Sequence, residues 1–511
     1  MQEEKGIEQE PGQGQDSSRA ASAYSQVLKY TGLLGGVQVF YVLMSIIRNK
    51  FTALFIGPWG MGMALVYSKA AEFLCSMTNF GLGISAVRRL AELHERGERR
   101  AVEQYVKLIR SWTLITALLG FVACIALAPV LSRRMLGDYH STKGFLLLSP
   151  TVFMLTMLGG ELAILKGLHE LRRMAAVSAV GALLTMLLTV GIYALMGLHG
   201  VLPVLLVTSA VTLLLNLHAT TRVYPYRLGL RSTQLLRRGG HLIRLGIAFT
   251  LAGLIGAGAD LVVTSFISRS ASPHAVGLYG AGFTLIVSYA RIVFVAMDAD
   301  YYPRLSAAGE DVARRNVIIN RQTDTLVMLM APFLILFSLF LPLVIRIILT
   351  EEYLMIVPMA VYGMSYMFFK AVYSPVSYLA LARGDSVMYL VMETAYDVAF
   401  VVAVTAGYAT HGLSGAGLGL SLANLFDLVA ITTVYRFRYG FRFDAPVLRR
   451  CLYHYLFLLA GLACALIPQL WLKLALGLPV AFASMGLSWR LLSRETDLVE
   501  RLRARLARTS K

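Results

Sequence analysis

Apolar and polar positions along this chain fall into long blocks, not the short alternations of a soluble domain. Fourteen apolar runs, most of them about 20 to 28 residues long, occupy 31–56, 61–85, 108–131, 144–167, 174–197, 200–221, 244–268, 274–299, 322–349, 355–382, 386–409, 412–435, 451–467 and 470–490. At ~1.5 Å per residue a helix of that length crosses the ~30 Å hydrocarbon core of a bilayer. The pattern predicts an all-α polytopic membrane protein with about 14 transmembrane helices.

The blocks also repeat. Arg89-Leu90-Ala91 corresponds to Arg304-Leu305-Ser306, the tract around Pro129 to that around Pro342, and Gly197-Leu198-His199-Gly200 to Gly412-Leu413-Ser414-Gly415. The offsets are 215, 213 and 215 residues. Each repeat holds six spans, an even number, so the two lobes share one topology and are related by a pseudo-two-fold axis along the membrane normal. The expected organisation is a disordered cytoplasmic tail (1–28), an N-lobe (29–222), a cytoplasmic linker (223–243), a C-lobe (244–436), two further spans (437–490) and a basic cytoplasmic tail (491–511).

Composition narrows the class. With 57% hydrophobic and 15% charged residues, the chain lies outside the range of soluble domains. Its net charge of +18 would suggest nucleic acid in a soluble protein, but the distribution argues otherwise. Of 47 Lys and Arg, 36 fall in the termini and alternate connections, six in the other connections and five within spans. That bias places both termini and the basic connections in the cytoplasm. The Arg-rich connections, such as RRLAELHERGERRAVEQYVK, are suited to an anionic lipid surface. The polar first ~28 residues lack the basic-then-apolar order of a secretory signal. Cys75, Cys124, Cys451 and Cys464 sit in or beside apolar spans with no CxxC pairing, as packing or lipid-facing residues. No P-loop, dinucleotide fingerprint or metal-ligand spacing occurs, so no catalytic residue, metal or cofactor is assigned.

The tract FIGPWGMGMALVYSKAAEFLCSMTNFGLGISAVRRLAE (55–92), with its glycine-containing turn, Gly-Leu pair and Arg-containing exit, resembles the first hairpin of bacterial oligosaccharide and polysaccharide flippases. The likeness continues through the Pro129 and Pro342 tracts and covers about 25–490. These flippases belong to a MATE-like superfamily that also holds multidrug exporters and peptidoglycan-precursor flippases. The resemblance implies two six-helix lobes, alternating access and an undecaprenyl-diphosphate-linked oligosaccharide as cargo in the bacterial inner membrane. It also implies work alongside glycosyltransferases and a polysaccharide polymerase.

Ionisable groups at mid-bilayer are costly and face a cavity or one another. Gln38, Tyr41, Ser45, Arg48 and Thr52 share one face of the first span, and Lys69, Glu72, Ser76 and Asn79 one face of the second. The seventh span carries Asp260 and the eighth Thr284, Ser288 and Arg291. Lys370 in the tenth and Asp397 in the eleventh lie at matched depth and are expected to pair; Glu393 lies one turn away. Two readings stand side by side. Arg48, Lys69, Arg291 and Lys370 form a cationic cleft for a diphosphate, or they are paired structurally with Glu72, Asp260, Glu393 and Asp397. The same carboxylates are the candidates for H+ or Na+ coupling. Glu161 and Lys166 support an inner connection, and Lys50 snorkels to the outer interface.

The expected function is a flippase for a lipid-linked oligosaccharide, with a peptidoglycan-precursor flippase or cation-coupled multidrug exporter as alternatives. A glycosyl polymerase or ligase would need a sizeable outward loop, and the longest here has only about a dozen residues. The charge bias predicts that a single cysteine at position 138 is labelled by an impermeant maleimide from outside intact cells. Labelling only after the inner face is exposed would reverse the topology.

Overall fold

A chain crossing hydrocarbon must satisfy its own backbone N–H and C=O groups, which a helix does within one segment. The computed structural model describes the backbone of residues 13–79, 81–229, 234–287, 294 and 301–495, and the side chains of 36–79, 81, 86–229, 250–287, 294 and 301–493. Among the described residues there are helices and no strand. The first half contains α1 Gln13–Asn79, α2 Leu82–Glu95, α3 Arg99–Leu131, α4 Thr142–Leu147, α5 Ser149–Gly167, α6 Leu171–Met196 and α7 Val201–Thr221. The second contains α8 Gln234–Ser270, α9 Pro273–Val287, α10 Val312–Leu339, α11 Leu341–Ile348, α12 Val357–Ala382 and α13 Ser386–Tyr439. Helices α14 Ala445–Ala465 and α15 Leu470–Glu495 follow and pack on α10, where Ile335 and Leu339 meet Gly461 and Gly477.

Ten helical stretches are long and apolar enough to cross a membrane. Three of them cannot do so once. The 54 residues of α13 would measure ~80 Å if straight. Instead the chain turns back at Gly412 (φ 58°, ψ −139°), and Gly407 then lies against the Gly415 carbonyl, backbone to backbone. Gly57 (φ 58°, ψ −171°) breaks α1 in the same way, and Gly197 (φ 52°, ψ −129°) separates α6 from α7. A side chain is strongly disfavoured at these dihedrals, so a glycine sits at each turn; His411 shares the turn at Gly412, and Gly197 opens a short 3-10 turn over Gly197–Gly200. With these folded-back stretches counted twice and α9 added, the described residues carry fourteen passes. Gly197 and Gly412, an expected repeat pair, thus share a backbone conformation.

The turns define a hairpin end of the bundle; the opposite, basic end carries the connections at 96–98, 168–170, 222–229, 308–311, 383–385 and 440–444. Several expected boundaries move. Residues 13–28 are helical, not a disordered tail, because the polar stretch DSSRAASAYSQVLK contains good helix formers and runs directly into α1. Helix α8 begins at Gln234, so half of the expected 223–243 linker is helix. The second span stops at Asn79, and the chain resumes after Gly81 (φ 65°) as α2. That helix buries Ala86, Leu90 and Leu93 against Val102, Val106, Ile109, Ile164 and Leu168, keeping Arg88 and Arg89 in solvent.

The basic end is fastened by charges inside each half. Arg110 and Glu161, both 1% exposed, pair at 3.0 Å. Arg110 also donates to the carbonyls of Tyr224 (3.2 Å) and Pro225 (2.9 Å), and its guanidinium stacks 4.9 Å from the Tyr226 ring. Glu161 thus acts through Arg110 on the 222–229 connection and also accepts from the Thr220 hydroxyl, whereas its expected place was the connection after its own span. In the second half Arg450 on α14 pairs with buried Asp324 on α10 at 2.7 Å. Asp385 caps α13 by accepting from the Met388 N–H (3.1 Å), and it binds Arg438 at the far end of the same helix (2.7 and 2.9 Å) and the Tyr439 hydroxyl (2.9 Å).

The Met388 N–H, with Arg438 beside it, holds the Asp385 carboxyl below its ordinary value of 3.8. A depressed carboxylate adds stability that is complete above the unfolded value and is lost as pH falls through the folded one. Asp385→Asn keeps a side-chain acceptor for the cap but removes the charge that faces Arg438, so it should lower the thermal midpoint in detergent at pH 7 by the equivalent of ~1 kcal/mol or less. The gap to the parent should be smaller at pH 2 than at pH 7, because the folded carboxylate takes up its proton below 3.8. A gap of equal size at both pH values would assign the loss to packing.

Candidate functional site

The two halves touch through the arm of α1 after Gly57 and the start of α9. A Cβ on Gly62 would overlap the Pro273 carbonyl, and one on Gly277 would overlap the Pro58 carbonyl. Both members of each pair, Pro58 with Pro273 and Gly62 with Gly277, are 215 residues apart. The contact is thus reciprocal, as an isologous interface between two copies would be. Lys50 reinforces it by donating to the Arg346 (2.7 Å) and Leu349 carbonyls at the C-terminal end of α11. Lys50 thus ends at the hairpin side, where the exposed carbonyls of a helix terminus in the other half accept its hydrogen bonds.

Beneath this roof lies a cavity of about 300 Å³ between the halves. Its polar lining comes from Arg48, Asn49, Thr52, Ser68 and Thr284, and the rest is apolar. Arg48 forms no ion pair or hydrogen bond among the described residues. Of the expected first-span face, Arg48 and Thr52 line the cavity, joined by Asn49, while Gln38, Tyr41 and Ser45 do not. In the second arm Ser68 lines it, while Lys69 and Glu72 turn elsewhere. Arg291 and Ser288 lie outside the described residues.

Lys69 spans the halves. Its ammonium lies 2.9 Å from Glu72 on its own helix and 2.7 Å from Asp260 on α8. All three remain partly exposed, at 22%, 55% and 35%.

The expected Lys370–Asp397 pair does not form. The Tyr366 and Tyr396 hydroxyls meet at 3.5 Å, so one helical turn nearer the basic end Lys370 falls opposite position 392–393. Lys370 sits 5.8 Å from the Tyr366 ring, with Glu393 and Asp427 as its charged neighbours. Asp397 faces α8 instead; a Cβ on Gly256 would stand 3.5 Å from its Oδ2. The sequence reading missed Asp427 and Asn424 on the returning arm of α13, where Asn424 accepts from the Tyr373 hydroxyl at 3.0 Å. Their signal was present: Ser421, Asn424 and Asp427 recur every third residue within an apolar run. Among the described residues no His, Cys, Asp or Glu cluster has the makings of a metal site.

This architecture has known counterparts. A family model described as "Polysaccharide biosynthesis protein" matches residues 94–358, just over half of the chain. The chain belongs to the polysaccharide biosynthesis protein family. No curated protein matches it. Among solved structures, the lipid II flippase MurJ in an inward closed conformation aligns with a TM-score of 0.68 at 12% identity, over 90% of this chain and 99% of that one. An inward-facing multidrug resistance MATE family transporter of the MOP superfamily gives 0.66 at 16% identity, over 79% and 94%. A point mutant of the Vibrio cholerae MATE transporter VcmN gives 0.60 at 14%, over 82% and 98%. The fold of this polysaccharide biosynthesis protein is therefore the MOP-superfamily fold.

Replacing Gly62 or Gly277 by Leu should force the roof apart, at a cost of about 1–3 kcal/mol for an overpacked contact. Labelling of a cysteine at position 68 from the hairpin side should rise in both variants. A Gly191→Leu control, where the added side chain meets open space, should not change it. Unchanged labelling in both roof variants would mean that the contact does not seal the cavity.

Proposed function

We propose that this member of the polysaccharide biosynthesis protein family is a transporter that flips a lipid-linked oligosaccharide across the bacterial inner membrane by alternating access, with both termini cytoplasmic. The observation that carries the reading is Arg48: a guanidinium without a partner among the described residues, in a cavity between two lobes, beside Asn49, Thr52 and Ser68. A guanidinium binds a phosphate by two parallel charge-assisted hydrogen bonds, and amide and hydroxyl groups suit the remaining oxygens or a sugar. Arg291 belongs to the same proposal as a second phosphate ligand, and Lys370 as a further cation on the path.

A second reading draws on the other charges. Glu393 and Asp427 flank Lys370 in the second half, Asp397 faces α8 without a cation, and Asp260 already offsets Lys69. This acidic surplus favours coupling to H+ or Na+, and with it a cation-coupled exporter as the alternative. The cargo's charge distinguishes the two.

Arg48→Ala should abolish restoration of surface polysaccharide in a flippase-deficient strain while leaving protein abundance near normal. Each lost charge-assisted hydrogen bond weakens diphosphate binding by about 1.5–3 kcal/mol, and removing a cation from a solvated cavity does not strain the fold. Full complementation by Arg48→Ala at equal abundance would remove the phosphate role.

A further inference from the structure

We propose that Lys50 is a latch on the hairpin side: it holds the second half by its main chain, and so sets the side of the membrane to which the empty cavity is closed. This rests on the alternating access of the preceding section.

What Lys50 grips is a wall of the cavity. Its ammonium donates to the Arg346 and Leu349 carbonyls at the end of α11. Ile348 and Leu349 line the cavity, together with Arg48, Asn49 and Thr52, the neighbours of Lys50 on α1. The last carbonyls of a helix have no N–H of their own helix to accept from, and they carry its negative dipole end, so an ammonium suits them. The glycine contact at the roof sets how closely the halves fit. Lys50 adds charge-assisted hydrogen bonds across that fit, each roughly twice as strong as a neutral one.

The gripped stretch is firmly part of the second half. Between Leu341 and Ile356 it buries Leu341, Ile345, Tyr353 and Ile356. Arg346 pairs with Glu351 at 3.4 Å, and Glu352 with His274 on α9 at 3.4 Å. A hold on these carbonyls is therefore a hold on the whole half. The Tyr353 hydroxyl adds a bond to the Met61 sulfur of the first half at 2.8 Å, a weak acceptor.

The latch works from one half only. The corresponding stretch of the first half, 132–142, closes on itself. There the Ser132 hydroxyl donates to the Asp138 carbonyl (2.7 Å), Arg133 to the Tyr139 hydroxyl (3.0 Å), and the Ser141 N–H to the Asp138 carboxylate (2.9 Å). None of its residues lines the cavity. The position 215 residues after Lys50 is Ser265, whose side chain is too short and uncharged for such a grip.

The test uses the full chain in lipid nanodiscs, with spin labels at the exposed positions His199 and His411, beside the glycine turns of the two halves. The parent should show mainly a short distance. Lys50→Met keeps the stem and removes the donors, and it should raise the population at longer distance about ten-fold, the worth of one lost charge-assisted hydrogen bond. Lys50→Gln, uncharged and one bond shorter, should do the same and serves if the methionine variant does not fold. Arg346→Ala removes a neighbouring side chain but leaves the carbonyl, and it should keep the parent's distribution. Lysine variants that keep the short distance overturn the latch. So does an Arg346→Ala variant that opens as far as Lys50→Met, since the main chain would then not be what Lys50 holds. The cargo reading survives either result, because restoration of surface polysaccharide by Arg48→Ala decides it separately.

Discussion

Everything between the two halves is set by how closely their backbones approach at Pro58–Gly62 and Pro273–Gly277. Helices normally meet through side chains, with axes 8–10 Å apart. Here glycine removes the side chain, and proline, which has no N–H to satisfy near a helix start, turns its carbonyl to the other half. In a membrane, where lipid and side chains are equally apolar, such van der Waals closeness takes over the role of hydrophobic burial. The contact fixes the roof, and with it the depth at which Arg48 and Thr52 face Thr284. Because the same two residues, a proline and a glycine, recur with one offset, neither half dominates the joint.

Below the roof, charged pairs differ in burial. Two of those that fasten a half are sealed: Arg110 is buried among Glu161 and two carbonyls, and Asp324 is capped by Arg450. The Asp385–Arg438 pair at the basic end and the Lys69–Asp260 pair between the halves stay partly exposed.

Much of this was legible in the sequence, and the failures share a cause. Span number, the repeat and the charge asymmetry follow from patterns long enough to average over local detail. The Gly197–Gly412 correspondence extends to a shared backbone conformation. Arg48 and Thr52 were found because one helical face can be read by counting. What counting cannot supply is the register between helices. Lys370 and Asp397 sit at equal depth on paper, yet the Tyr366–Tyr396 contact slides one helix by a turn and hands Lys370 to Glu393 and Asp427. Lys50 was read from its own surroundings alone, while its partners are carbonyls almost 300 residues away. The reciprocal Pro-x-x-x-Gly contact was also invisible as a contact, since an absent side chain leaves no pattern to count.

The short glycine turns at Gly57, Gly197 and Gly412 have a further effect on the surface of the molecule. A connection of one to four residues leaves little slack backbone above the bilayer. On the hairpin side, apart from the stretches 132–142 and 349–356, little rises from the helix ends. A protease needs several extended residues to thread its cleft, and an antibody needs a raised patch to grip. This face offers both only sparingly, so the chain is shielded from attack by the brevity of its own corners.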